Sequence, residues 1–389
     1  MLAVGTFAMG TDSFVLAGIL PQISHGFGVP VSSAGQVVTA FALTYAVLAP
    51  LLAAATHRIP RRLLISLALM IFILGNLGGA LAPSLPLLLT ARAVTAVGAA
   101  LFTPTANGIA IALAGPQRRG TALSIVLGGL ATGTVVGVPV GTGLGQQFGW
   151  RASLVFIAAV AVAALLALLA SLPPLTNPAA ATPAQRLSVL INGPVAVVVL
   201  ISTLATASGI LFYTYIAEVL GAVAHVRGWQ LTAALIIWGA GAAGGAFGSG
   251  PLTDRIGPRP MVIIAIACTG ASILALIFAG GLGPAAPLLF IGGAAGWAVN
   301  APTNHLVSGL VPAAAPVAIS FNSSGTYLGQ ALGAGLGGAL LAGGLPAAGL
   351  CVAAAIGSVC TLIMFLATGR VTTRNQQEAL PECSESASD

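Results

Sequence analysis

Lysine is absent from the 389 residues: all 13 basic side chains are arginine. Without lysine there is no Walker A phosphate loop and no Schiff-base nucleophile, so ATP-driven pumping by this chain and lysine-based covalent catalysis are excluded. Charge of either sign is scarce, at 5% of residues, against roughly 25% in an ordinary soluble domain. So few charges cannot cover the surface of a water-soluble fold of this length, and lipid must be the solvent for most of it. Of 7 acidic residues, Glu378, Glu382, Glu385 and Asp389 crowd the C-terminal stretch. Asp12, Glu218 and Asp254 alone remain for chemistry in the body of the chain. Cysteine is limited to Cys268, Cys351, Cys360 and Cys383, with no metal-ligand or redox spacing, and reads as packing. The 4 histidines are scattered and no HExxH is present, so neither a metalloprotease nor a bound metal is expected, and no cofactor is called for. A receptor would carry a soluble domain, and no loop here is long enough to be one.

What the chain has in abundance is apolar length: 57% of residues are hydrophobic and the mean hydropathy is +1.04. A helix needs about 20 apolar residues to cross the hydrocarbon core, and such runs recur between clusters of Arg, Pro and Gly. The first six spans fall near 3–23, 33–55, 63–82, 86–114, 121–147 and 152–172. The second six fall near 193–220, 229–250, 261–281, 284–309, 315–343 and 345–368. The organisation is thus an N-terminal six-helix bundle (1–172), a proline-containing cytoplasmic linker (173–192), a C-terminal six-helix bundle (193–368) and a polar, disordered tail (369–389). No cleaved leader is expected, because the first apolar run starts without a basic segment.

Arginine placement sets the orientation, since loops on the cytoplasmic side carry the excess positive charge. With both termini inside, Arg58, Arg61, Arg62, Arg118, Arg119, Arg186, Arg255, Arg259, Arg370 and Arg374 are cytoplasmic, and only Arg151 and Arg227 fall outside. A multi-pass inner-membrane protein of a bacterium is expected. The pI of 9.8 does not signal nucleic acid, because the basic residues are not gathered on one aqueous face. The expected partners are the lipid bilayer, a small-molecule substrate and protons, with the chain acting as a monomer.

The loop after the second span, AAATHRIPRR, is repeated in design by GPLTDRIGPR after the eighth. An offset of six spans is even, so the halves share one orientation, as parallel repeats do. The fifth span carries GTVVGVPVGTGLG and the eleventh GTYLGQALGAGLGG, with glycines every fourth residue that give smooth faces for close helix approach. On these motifs the chain resembles the major facilitator superfamily, and within it the drug:proton antiporters. GPLTDRIGPR looks like the family's cytoplasmic loop signature, implying conformational roles for Gly250, Asp254, Arg255, Gly257 and Arg259, and for Arg58, Arg61 and Arg62 in the first half. There the family aspartate is replaced by His57, so a charge latch from an acid is left to Asp254, read as a loop residue. Gly133, Gly137, Pro139, Gly141 and Gly145 resemble the antiporter signature of the fifth span, and Arg92 the arginine of the fourth-span signature. GTDSFVLAGILPQIS and FNSSGTYLGQALGAGLGG look most like the bacterial chloramphenicol and arabinose-polymer exporters. The resemblance implies an all-α fold of twelve transmembrane helices and a transporter, not an enzyme.

Asp12 lies near the middle of the first span, where an isolated charge costs at least ~2.5 kcal/mol, so it needs a cavity or a partner. Arg92 enters the fourth span by ~9 Å, and the depths of the two differ by about one helical turn, so the side chains are able to meet. Asp12 is the leading proton carrier, with Arg92 either its coupling partner or a structural tie between the spans. Glu218, near the outer end of the seventh span, either reaches water or serves as a second protonation site or a contact for cations. Substrate-cavity candidates are Phe14, Tyr45, Asn107, Tyr213, Tyr215, Trp238, Asn300, Asn304 and Asn322, each of which reads as readily as helix packing. His305 is expected to be buried and neutral, the alternative being a role in sensing pH. The expected function is proton-coupled efflux of a small, fairly apolar compound such as an antibiotic, the alternative being export of a polar metabolite such as a sugar or nucleoside.

Overall fold

The computed structural model describes residues 1–56, 58–114, 118–173, 189 and 191–378, and among these it holds helices and no strand. The first half contains α1 (Leu2–Phe27), α2 (Gln36–Ala55), α3 (Arg61–Ala80), α4 (Leu85–Ala114), α5 and α6 (Trp150–Ser171). Here α5 comprises Arg119–Thr132, a π-helical turn Gly133–Gly137, and Val138–Phe148. The second half contains α7 (Gly193–Tyr213), α8 (Trp229–Ile256), α9 (Pro258–Ala275), α10 (Leu282–Ala298 continued by Asn300–Leu310), α11 (Ala315–Ala342) and α12 (Gly349–Glu378).

Among the described residues, eleven helices are long and apolar enough to cross a membrane. The twelfth, α11, has 28 residues, ample to span, but Asn322, Ser323, Ser324 and its glycines lower its apolarity. It tolerates that polarity because it packs between α7 and α2. The fold class is therefore the one the sequence implies. Three details differ. The expected seventh span breaks after Tyr213 and restarts as a short helix, Ile216–Val223. α8 continues to Ile256, so Asp254 sits in its last helical turn and not in a loop. α12 continues to Glu378, so 369–378 is helical where a disordered tail is expected; extending the helix gives the carbonyls at the end of the apolar stretch their partners. The rest of the tail, most of the linker and His57 lie outside the described residues.

The glycine spacing explains how the halves are built. Along α5, Gly129, Gly133, Gly137, Gly141 and Gly145 face Ala3, Phe7, Thr11, Val15 and Ile19 of α1 in turn, so that a Cβ at any of them would enter α1. Along α11, Gly325, Gly329 and Gly333 face Val199, Thr203 and Ala207 of α7 in the same way. In lipid, helix association depends on such close van der Waals contact, because the tails are as apolar as the side chains. Thr11 Oγ1 donates to the Gly133 carbonyl at 3.3 Å, across 122 residues, and Thr203 Oγ1 donates to the Gly325 carbonyl at 3.0 Å, again across 122. The two halves are thus repeats in their hydrogen bonds as well as in their sequence. The π turn has its own cause: Pro139 has no N–H to give the preceding turn, and a widened turn absorbs the missing bond.

Candidate functional site

Asp12, in the middle of α1, and Arg92, in the second turn of α4, meet in the interior: Arg92 Nη1 lies 2.7 Å from Asp12 Oδ1, with the side chains 2% and 0% exposed. The expected encounter is therefore present, and it is a single-point contact. Asp12 Oδ2 and Arg92 Nε are both buried without a hydrogen-bond partner. The guanidinium carbon also stands 4.5 Å from the centroid of the Phe41 ring on α2, a cation–π contact that stabilises the charge in a dry setting. One acidic side chain, one guanidinium and one aromatic face thus bring α1, α4 and α2 together at mid-depth.

Aromatic contacts link this centre to the other half. Tyr45 on α2 stacks on Tyr327 of α11 with ring centroids 3.6 Å apart, and Phe41 lies 6.5 Å from the same ring. The Tyr327 side chain reaches Ser13 of α1, the neighbour of Asp12. Phe14 of α1 meets Tyr213 of α7 edge-on at 5.6 Å and Trp297 of α10 at 5.6 Å, and Tyr213 lies 5.4 Å from Trp238 of α8. The Tyr213 hydroxyl donates to the Phe14 carbonyl at 3.4 Å. Phe14, Tyr45 and Tyr213 are accordingly where the two halves touch around the Asp12 level, and Trp238 packs behind Tyr213 within the second half.

The remaining cavity candidates are spread more widely. Tyr215 is 1% exposed at the end of the bundle opposite Met1, where its hydroxyl donates to the Ala334 carbonyl. Asn322 donates to Asn304 Oδ1 at 2.9 Å and to Thr303 Oγ1 at 3.3 Å, tying α11 to α10. Asn300 donates to the Trp297 carbonyl within α10. Asn107 on α4 is half-buried, with a buried carbonyl oxygen that finds no partner. Glu218 is half-buried in the first turn of Ile216–Val223, where the positive end of the helix dipole suits an acid. His305 corrects its expectation: it is exposed on the polar Asn300–Leu310 piece of α10, where its carbonyl accepts from the Ser308 hydroxyl at 3.0 Å.

The signature loops sit at the end of the bundle that carries Met1. Arg62 Nη2 donates to the Leu169 carbonyl at 2.7 Å, closing the C-terminus of α6 with a cation. Arg61 lays its guanidinium against Gly108 of α4, where a Cβ would lie 3.0 Å from Cζ. Arg58, Asp254 and Arg255 are exposed, and Arg259 is half-buried. Gly250 lies within α8, and Gly257, with φ 88°, makes the turn into α9 that a side chain would strain. Sequence reasoning missed Phe41, Tyr327 and Trp297. Phe41 stands one helical turn before Tyr45, the one spacing that would have placed it on the same face.

A sequence profile of the Major Facilitator Superfamily matches residues 2–315 and, separately, 195–382. The chain belongs to the Major Facilitator Superfamily. Inner membrane transport protein YdhP of Escherichia coli (strain K12) is 30% identical over 374 residues, covering 95% of either chain. The chloramphenicol resistance protein of Streptomyces lividans is 35% identical over 271 residues, 69% of this chain and 68% of that one. Among solved structures, a bacterial homologue of the human lysosomal transporter Spinster superposes with a TM-score of 0.71 at 22% identity, covering 94% of this chain and 92% of that one. This superfamily member is a multi-pass membrane transporter and not an enzyme.

Proposed function

We propose that the chain is a proton-coupled efflux transporter that moves a small, uncharged, fairly apolar compound out of a bacterial cell by alternating access. The observation that carries the reading is the Asp12–Arg92 pair at mid-membrane with one carboxylate oxygen left open. A buried pair held by one contact is poised between two states. With Asp12 ionised, the carboxylate anchors Arg92; with a proton on the carboxyl, that attraction falls and Arg92 is freer to hold other acceptors. If proton and cargo bias the inward-open and outward-open states in opposite senses, the gradient of one drives the other.

Charge supports the cargo class. Asp12 and Arg92 neutralise each other, so the mid-depth region presents aromatic faces and few free charges to a ligand. Such a site suits a neutral molecule with ring surfaces. The relative named for chloramphenicol resistance fits this class. A polar-metabolite cargo is favoured only by the unpartnered Asn107 oxygen and by a relative in Mannheimia succiniciproducens named as a probable sugar efflux transporter, 28% identical. In this reading both termini face the cytoplasm of the inner membrane, 173–192 is a cytoplasmic linker, Glu218 reaches the outer aqueous side, and the monomer is the working unit.

The test is a resistance screen in an efflux-deficient bacterium comparing wild type with Asp12→Asn, followed by pH measurement in reconstituted vesicles. A compound tolerated only with the wild type, whose addition moves protons only with the wild type, is the expected result. Undiminished proton movement by Asp12→Asn would reject the coupling role.

A further inference from the structure

α7 ends at Tyr213, and the chain turns before the short helix Ile216–Val223, leaving Tyr215 between the two with φ −109° and ψ 24°. That break sends the Tyr215 ring to α11, where its hydroxyl donates to the Ala334 carbonyl at 2.9 Å. Glycines surround the ring. A Cβ at Gly337 would lie 2.6 Å from the ring carbon Cε2, and one at Gly338 would lie 2.7 Å from the hydroxyl oxygen. Both belong to the same half as Tyr215. The third, Gly35, belongs to the other half, in the lead-in to α2, and a Cβ there would run into the hydroxyl and lie 2.7 Å from Cζ. Beside it, the same imagined Cβ of Gly338 would lie 2.9 Å from the Ser32 carbonyl oxygen.

Tyr215 is therefore a peg whose anchor and two walls lie in the second half and whose last wall is the bare backbone of the first. The anchoring hydrogen bond stays within one half, so parting the halves at this end breaks no bond to the peg. Closing them requires that positions 35 and 338 carry no side chain, and of the two it is position 35 that meets the peg from the other half. On the α5–α8 side of this end the polar contacts between the halves are long ones: Gln146 Nε2 donates to the Gly228 carbonyl at 3.3 Å, and Thr232 Oγ1 donates to Gln146 Oε1 at 3.4 Å. Shape at Gly35, more than hydrogen bonding, governs whether this end can shut.

We infer that Tyr215 and Gly35 form the latch of the gate at the end of the bundle opposite Met1. A side chain at position 35 raises the free energy of the state closed at that end and leaves the state open there untouched, so it shifts the population toward opening. Nearby, Gly335 of α11 faces Thr39 of α2 across the same seam, its imagined Cβ 3.7 Å from Thr39 Cγ2, which makes the pair a reporter of closure.

The experiment uses full-length protein in nanodiscs with Cys268, Cys351, Cys360 and Cys383 replaced by alanine and with Thr39→Cys and Gly335→Cys introduced. The oxidative cross-linking rate across the halves is read. The parent is expected to cross-link readily, and Gly35→Ala to do so about tenfold more slowly or worse, given the usual penalty for forcing a methyl into filled space. Adding Tyr215→Leu to Gly35→Ala shortens the peg and is expected to recover most of the rate. Gly143→Ala, at a position with open space around it, is expected to leave the rate unchanged. A Gly35→Ala protein that cross-links at the parental rate overturns the latch, as does a loss of rate that Tyr215→Leu does not relieve. Should Gly35→Ala not yield monodisperse protein, the double variant with Tyr215→Leu decides: recovery of folded, cross-linking protein supports the collision, and continued failure rejects it. No substrate enters this assay, so its outcome is separate from that of the coupling proposal.

Discussion

Asp12 and Arg92 are 80 residues apart in the chain and 2.7 Å apart in the fold, joined by one of two carboxylate oxygens and one of three guanidinium nitrogens. This asymmetry has an energetic consequence. Removing the arginine leaves a carboxylate in a site that is 0% exposed, whereas changing the acid to its amide takes the counter-charge from the guanidinium but leaves it an oxygen that still accepts from Nη1 and the Phe41 face beside it.

Arg92→Ala is therefore expected to destabilise the protein by about 3–5 kcal/mol, the usual range for stranding one member of a buried pair. Asp12→Asn is expected to fall well below that. Thermal unfolding in detergent checks the order, and the double variant Asp12→Asn/Arg92→Ala should recover part of the loss. Equal destabilisation by the two single changes would show that the pair is not the stranded charge argued here.

The glycine seam between α1 and α5 makes a second prediction. Gly133→Ala drives a methyl toward the Phe7 carbonyl, and backbone cannot step aside as a flexible side chain can. A loss of about 1–3 kcal/mol is expected. Gly143→Ala, in the same helix but with nothing within 4 Å, should be neutral or slightly stabilising, since alanine is the better helix former. Midpoints of thermal unfolding for the two variants, measured side by side, should differ in that direction.

The seam also shows how much of the fold was legible. Glycines at every fourth position, the recurring arginine loop and apolar runs of membrane length are linear signals, so the span count, the repeat and the family could be read directly. Asp12 and Arg92 were legible because charges in lipid are few and depth follows from the rise per residue. What failed to show was lateral position. Tyr213 and Tyr215 are two residues apart and were grouped together, yet the break after α7 sends one ring toward Phe14 and the other to Ala334. His305 falls within the tenth membrane-length run, where a buried side chain is expected, but it lies on a helix piece rich in polar side chains and is exposed. Tyr327 was overlooked because its importance comes from Tyr45, on a helix from the other half of the chain.

At the Met1 end, Arg62 supplies a positive charge to the last carbonyls of α6 through Leu169. Arg62→Gln keeps a donor but loses the charge, and the expected cost is about 0.3–1 kcal/mol, the range for a cation near a helix C-terminus. The arginine is exposed, so the difference between the two proteins should shrink as salt is raised. Unfolding midpoints across a salt series test both points; a difference that grows with salt would mean that Arg62 acts through something other than the end of α6.

The Tyr45–Tyr327 stack joins the two halves and is the contact best suited to a double-mutant cycle. Each ring is replaced by leucine, singly and together, which keeps apolar bulk and removes the stacking geometry. A coupling of about 0.5–1.5 kcal/mol is expected, as for aromatic pairs beyond their buried area. The comparison cycle takes Tyr45→Leu with Tyr215→Leu, two rings with no contact between them, and additivity within about 0.5 kcal/mol is expected there. Because the stack exists only while α2 and α11 are together at this level, its loss should also slow the cross-linking of cysteines at 39 and 335. Coupling in the unfolding cycle without any change in cross-linking would place Tyr45 and Tyr327 in the stability of the fold alone and remove them from the movement of the halves.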